Sequence, residues 1–343
     1  MLTKRLSTSE EDIEVAGKIL REGGLVAFPT ETVYGLGANA LDSKAVASIY
    51  EAKGRPSDNP MIVHIADSAE LKQLVKGGRD GIGKNAIKVM EAFWPGPLTI
   101  IFPKSSAVPD VTTGGLDTVA IRMPSNDIAY RLIVEAGVPI AAPSANLSGK
   151  PSPTTAEDVL EDMNGRIEAV IMGGCCDVGI ESTVLDLTGD KPIILRPGLI
   201  TSEWISGVLD QEVAYDKMLL ANNEMVANPR EGVTETSFKP KSPGMKYTHY
   251  SPKAKVRLIE GSDIEFKRKV VELGIKAKKQ GYSSAVLNYE DDVRRAAKKF
   301  FADLRELDRQ EYDIIFIKTL EETGLGFSVM NRMLKSAGYD VIK

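Results

Sequence analysis

The segment KGRPSDNP at 53–60 sets two cations, Lys53 and Arg55, on either side of a glycine. Pro56 biases Arg55 toward extended backbone, so both side chains leave a helix end together and can converge on one anion. A polyphosphate is the natural ligand for such a pair; the competing reading is a solvated basic pair at a helix C-terminus, where positive charge is favourable anyway. A second segment, APSANLSG at 142–149, places Ser144, Asn146 and Ser148 just past a short apolar strand. Ligand-binding loops of α/β proteins sit there, although the same letters also make a good turn. Arg122 ends TVAIR, and a period of two puts it on one face with Ala120 and Thr118. Its planar fork could take a carboxylate or phosphate over those small neighbours, or reach solvent from an edge strand. His64 in MIVHI shares a face with Ile62 and opposes Met61, Val63 and Ile65, the pattern of a core or rim histidine.

Other chemistries have less support. The chain holds two histidines far apart and two adjacent cysteines, Cys175 and Cys176, with no HExxH or CxxC spacing. A metal held by protein side chains is therefore not expected, whereas Mg2+ carried on nucleotide phosphates needs no dedicated cage. No GxSxG elbow marks a serine nucleophile, and neither cysteine has a histidine nearby in sequence. Adjacent cysteines exclude a disulfide framework. The N-terminal segment mixes charges into a helical pattern, and no apolar run reaches about 18 residues. The expectation is no membrane span and a cytoplasmic protein.

Positioning these residues requires many short elements. The 343 residues are 43% hydrophobic, enough for two domains. Ser9 followed by Glu10, Glu11 and Asp12 opens a helix with Ile13, Ala16, Ile19 and Leu20 on one face, and Gly23 and Gly24 end it. A strand at 25–28 leads into TETVYGLGANA, read as a polar, glycine-bearing segment, and a helix over 43–53 delivers Lys53. Strands are predicted at 61–65, 98–102, 118–124, 138–143, 168–172, 182–187 and 193–197, and helices at 68–75, 85–94, 128–135 and 154–162. This is an α/β or α+β unit of about 200 residues. Periodicity fades from about 208 to 252 and then resets. Strands at 255–259, 284–287 and 312–318 alternate with helices at 264–279, 293–308 and 326–337, the signature of a small parallel-sheet unit. The division is thus 1–207, a linker at 208–252, and 253–343. Net charge is −5 overall, −11 over 1–240 and +6 over 241–343. A uniformly basic coat for nucleic acid is excluded, while the C-terminal part could face an anion.

FPTETVYGLGANA at 28–40, KGRPSDNP, RMP at 122–124, PSANLSG at 143–149, STVLDL at 182–187 and RPG at 196–198 together resemble the threonylcarbamoyl-AMP synthase family in its long, two-domain Sua5 form. SPGMKYTHYSP at 242–252 resembles that form's linker, and GLGFSVMNRMLKSAG at 324–338 its closing helix. The resemblance implies a twisted mixed-sheet YrdC-like catalytic domain and a smaller Rossmann-like α/β/α domain. It implies condensation of L-threonine, bicarbonate or carbon dioxide, and ATP with Mg2+, releasing pyrophosphate. A tRNA threonylcarbamoyl-transferase complex would receive the product for adenosine 37, with at most weak tRNA contact by this chain. Carried across residue by residue, the family pattern assigns Lys53 and Arg55 to the phosphates as catalytic cations. It assigns Asn59, Thr118, Ser144, Asn146, Ser152 and Arg196 to ATP, with Asn146 also supporting its loop. Thr30, His64, Arg122, Ala142 and Ser182 fall to threonine, Arg122 taking the carboxylate and Ala142 offering backbone groups. Tyr247, His249 and Tyr250 are candidates for a lid over the nucleotide, because the carbamate and its adenylate are both hydrolysed by water. Two alternatives stay open: a related enzyme using carbamoyl phosphate, whose usual zinc-finger and acylphosphatase-like additions are lacking here, and an RNA-binding module without turnover.

Overall fold

The computed structural model describes residues 2–219 and 250–343. Eleven strands, β1 Lys4–Leu6, β2 Val26–Phe28, β3 Gly35–Asn39, β4 Ile62–His64, β5 Leu98–Pro103, β6 Thr118–Arg122, β7 Ile140–Ala141, β8 Ala169–Ile171, β9 Thr183–Asp186, β10 Ile193–Arg196 and β11 Ala214–Tyr215, form one mixed sheet. Their order is β1-β8-β2-β3-β7-β4-β6-β5-β9-β10-β11. Helices α1 Glu10–Arg21, α2 Ser43–Lys53, α3 Leu71–Leu74, α4 Lys84–Phe93, α5 Asp110–Thr113, α6 Asp127–Ala136, α7 Ala156–Met163 and α8 Ser202–Leu209 accompany it. Strands β12 Lys255–Ile259, β13 Ser284–Leu287, β14 Ile314–Lys318 and β15 Val341–Ile342 make a second, all-parallel sheet in the order β13-β14-β12-β15. Helices α9 Asp263–Lys279, α10 Val293–Arg309 and α11 Gly324–Ser336 connect them. No helix among the described residues is long and apolar enough to cross a membrane.

Local rules account for the elements that carry the site. Ser9 caps α1 by accepting from the Asp12 N–H, and Asp42 caps α2 by accepting from Lys44 and Ala45. Gly54, at φ 59°, ends α2 in the left-handed region, which turns Arg55 out of the helix. The glycine-bearing segment after Pro29 is a loop over 30–34 and a strand over Gly35–Asn39. β3 pairs antiparallel with β2, Val26 opposite Gly37 and Phe28 opposite Gly35. Gly37 is small because Phe28 and Ile140 close over it; a Cβ there would lie 2.9 Å from each side chain. The strand ending in Arg122 is interior, between β4 and β5, so the edge-strand alternative falls.

The first sheet also runs past residue 207. α8 spans that position, and β11 returns to pair parallel with β10, Ile193 opposite Ala214.

The second sheet's helices pack directly on the loops of the first. Val33 and Ile180 are buried in a cluster with Tyr250, Phe300, Phe301 and Met333. Arg305 of α10 donates from Nε and Nη2 to the Pro151 carbonyl, at 3.1 and 2.7 Å, and its Nη2 lies 2.8 Å from Asp162 of α7. Arg309 reaches Asp158 at 3.1 Å and Glu161 at 2.9 Å. The opposite net charges of the two parts thus meet in part as a basic helix against an acidic one.

Candidate active site

A cavity of about 630 Å³, its open mouth included, lies where the loops after β2, α2 and β7 meet the ends of β6, β9 and β10. Thr30, Arg55, His64, Arg122, Ala142, Ser144, Asn146, Ser182, Arg196 and Tyr250 all line it. Residues spread over more than two hundred positions are brought to one concavity. Tyr247 and His249 lie outside the described residues.

One end is built on Arg122. Its Nη1 donates to Thr32 Oγ1 at 2.9 Å and its Nε to the Gly96 carbonyl at 3.3 Å. Its Nη2 lies 2.8 Å from Glu31 Oε1, but the N–H does not point along that line, and neither atom has an aligned hydrogen bond. Burial pushes the Glu31 carboxyl up, and the nearby charge of Arg122 leads the effects that more than offset this, so it stays ionised. The Thr30 hydroxyl closes its own loop, donating to the Val33 carbonyl at 2.7 Å and accepting from the Thr32 and Val33 N–H groups. His64 is 3% exposed, with Nδ1 3.2 Å from the Ile62 carbonyl. Burial first and Arg122 second hold its imidazole down to about 3, so it is neutral at physiological pH. The Ala142 N–H donates to the Ile62 carbonyl, which removes it from the backbone groups the sequence reading offered to a ligand.

The other end is built on Arg55 and Arg196. Arg55 Nη2 donates to the Asn59 and Pro60 carbonyls at 3.2 and 3.0 Å, while its Nε has no partner. Arg196 donates from Nε to the Ser182 carbonyl at 3.0 Å and from Nη2 to Ser182 Oγ at 3.1 Å, and Ser182 Oγ sits 2.8 Å from Thr99 Oγ1. Burial lowers both arginines only to about 10, so both remain cationic.

Lys53 departs from the expected convergence. It is 3% exposed, outside the cavity lining, and its Nζ donates to the carbonyls of Ser144 and Asn146. The end of α2 is buried under the 144–148 loop, so the amine finds backbone oxygens rather than the cavity, and the Ser148 N–H returns a bond to the Lys53 carbonyl at 2.9 Å. Within that loop Ser144 Oγ donates to Asn146 Oδ1, and Asn146 Nδ2 donates to the Leu147 and Lys150 carbonyls. Asn59, Thr118 and Ser152 also lie off the lining. Asn59 is buried with its carbonyl accepting from the Tyr50 hydroxyl, Thr118 sits at the far end of β6 opposite Pro103, and Ser152 donates to Glu181 Oε1 at 2.6 Å.

Three polar residues of the described lining, Thr32, Lys150 and Glu181, escaped the sequence reading, as did Glu31 beside Arg122. Thr32 and Glu31 flank one another in the same TET run as Thr30, and their signal was the arginine that needs partners. Lys150 directly follows the SANLSG loop. Glu181 precedes Ser182, and nothing local marks a carboxylate as a neighbour of cations.

Fold and cavity together define a two-domain α/β protein whose site suits small anionic ligands. A family profile described as "Telomere recombination" (Sua5, YciO and YrdC) matches residues 18–198, and one described as "Threonylcarbamoyl-AMP synthase, C-terminal domain" matches residues 200–338. The threonylcarbamoyl-AMP synthase of Pyrococcus abyssi is 46% identical over all of this chain and 99% of its own length. That of Bacillus subtilis is 45% identical over all of this chain and 97% of its own. The crystal structure of P. abyssi Sua5 complexed with L-threonine superposes with a TM-score of 0.89 at 45% identity, covering all of this chain and 99% of that one. The chain belongs to the threonylcarbamoyl-AMP synthase family.

Proposed function

We propose that this cavity condenses L-threonine, bicarbonate or carbon dioxide, and ATP into threonylcarbamoyl-adenylate, releasing pyrophosphate, and also water where bicarbonate is the carbon source, a nucleotidyl transfer. The observation that carries the reading is one cavity with two cationic ends. Arg122, braced by Glu31 and Thr32, suits an amino-acid carboxylate, and Arg55 with Arg196 suits a triphosphate. The P. abyssi relative that binds L-threonine shares this fold over the whole chain.

The threonine amine captures carbon dioxide as a carbamate, whose oxygen attacks the α-phosphorus while pyrophosphate leaves. No side chain need become a covalent nucleophile; the protein's work is alignment and charge stabilisation. Arg55, with an uncommitted Nε, faces the charge that builds at the phosphoryl group. Lys53 acts one step back, fixing the Ser144–Asn146 loop through its carbonyls. Neutral His64 walls the threonine end without competing for its carboxylate. Among the described residues no cluster of His, Cys, Asp or Glu could hold a metal, so Mg2+ would enter on ATP as part of the substrate. A tRNA threonylcarbamoyl-transferase complex would consume the product. Of the three candidates for a lid, Tyr250 is described, and it lines the cavity.

The test is pyrophosphate release from ATP by purified protein, omitting threonine or bicarbonate in turn. Release should require both, and Arg55→Ala should lower turnover by about 100-fold, the usual loss for one electrostatic stabiliser. Pyrophosphate released without threonine would exclude the reading.

A further inference from the structure

Glu181 is the one carboxylate among the described residues lining the cavity, where Arg55, Lys150 and Arg196 also stand, and it feels the charge of Arg196. It is 6% exposed. Left alone in a site for a triphosphate, it would repel the ligand and pair with the cations meant for it. It is not left alone. Its Oε2 accepts from Arg332 Nε at 3.1 Å, its Oε1 from Ser152 Oγ at 2.6 Å, and the Tyr250 hydroxyl also hydrogen-bonds to it. Arg332 belongs to α11 of the second domain and is completely buried. Its Nη1 donates to the carbonyls of Pro197 and Ser328, and Ser328 Oγ donates to the Gly198 carbonyl at 2.8 Å. α11 is therefore clamped on the turn that directly follows Arg196. Gly198 permits this close packing of the turn: a Cβ there would lie 2.4 Å from the Thr183 nitrogen.

We propose that Arg332 of the second domain is a positioning residue for the ATP end of the cavity, neutralising Glu181 so that Arg196 keeps its charge for the triphosphate. The inference rests on the reading given under Proposed function. Lys335, one turn further along α11, is held down to about 7 by burial and by the charges of Arg332 and Arg196, so near neutral pH it carries only part of a charge. The threonine end has its own acid–base pair, Glu31 with Arg122, and does not depend on Arg332. At α11 the second domain thus enters the first domain's reaction through an ion pair, not through contact with substrate.

The experiment measures ATP and L-threonine affinities separately by calorimetry, and KM for each in the pyrophosphate assay. Arg332→Met should weaken ATP by at least about tenfold, the effect of uncovering one buried carboxylate, and leave L-threonine within about twofold. Adding Glu181→Gln to that variant should restore ATP affinity to within about threefold of wild type, which lost domain docking could not do. Equal weakening of both ligands, unchanged ATP affinity, or no restoration in the double variant would overturn the proposal. Should Arg332→Met fail to fold, Glu181→Gln alone decides, because removing the carboxylate beside an intact Arg332 should tighten ATP, and weaker ATP binding would refute it. Wild-type protein that binds no ATP would instead overturn the reading of the cavity itself, and this inference with it.

Discussion

At the scale of single residues the cavity is a problem of where charge is kept and where it is suppressed. Arg55 and Arg196 stay cationic despite burial, because the intrinsic basicity of guanidinium holds the proton. His64, beside Arg122, goes the other way, its imidazole held down to about 3. An unfolded histidine titrates near 6.5. Between those values the unfolded chain binds a proton that the native chain refuses, so this residue's contribution to stability is present above about 6.5 and is lost as pH falls toward 3. From pH 7 to pH 5 the loss due to His64 should approach about 2 kcal/mol. Urea denaturation at the two pH values should show wild type losing more stability than His64→Gln by that order. Equal losses would mean that the native imidazole is protonated at pH 5.

Elements explain why those residues meet, and also which of them were legible beforehand. α1 crosses α6 at Gly17, where a Cβ would lie 2.8 Å from Glu135 Cγ and 2.9 Å from its backbone carbon. Gly17→Ala gains about 1 kcal/mol of helix propensity but forces backbone apart, an overpacking cost of about 1–3 kcal/mol. Since the clash is with backbone, the net should be destabilising by about 1–2 kcal/mol, seen as a lower urea midpoint, with activity of the folded fraction unchanged because neither helix reaches the cavity. A higher midpoint would mean that the helices separate freely. The helix 43–53 and the strand faces of His64 and Arg122 could be read in advance, because a side-chain period states which way each residue points. β3 could not, since Gly35 and Gly37 answer to Phe28 across the sheet and leave no alternating pattern. β1, only KRL, is a strand by virtue of its parallel partner β8. Lys53 illustrates the remaining gap. Its place at the end of α2 follows from the sequence, but its target, two carbonyls about ninety residues on, follows only from how the 144–148 loop covers that helix end.

On the scale of the whole molecule, the second domain braces the cavity at two places: α11 through Arg332 and Glu181, and α10 through Arg305. The second brace is the larger electrostatic commitment. Arg305 is 4% exposed, and Asp162 is completely buried at the carboxylate, shared between Arg305 Nη2 at 2.8 Å and Lys150 Nζ at 2.7 Å. Arg305 also supplies two donors to the Pro151 carbonyl, one residue from Lys150 and Ser152. Arg305→Met keeps the apolar stem but leaves Asp162 with one cation, and breaking a buried pair in this way costs about 3–5 kcal/mol. That cost falls on docking rather than on either sheet, since β12 to β15 and β1 to β11 are hydrogen-bonded without it. The segment 149–152 should therefore lose hydrogen-exchange protection while amides of β4 and β6 keep theirs. Lys150, released from the three-way arrangement, would bind Asp162 more closely and turn from the cavity, so turnover at subsaturating ATP should fall while L-threonine affinity holds. Arg309→Met should change protection and turnover less, because Arg309 and its partner Glu161 are each 41% exposed and exposed pairs contribute about 0–1 kcal/mol, while the buried Asp158 keeps the Thr154 N–H as a partner. Unaltered protection of 149–152 in Arg305→Met would show that apolar contacts around Val33, Ile180 and Phe301 suffice to hold the domains together.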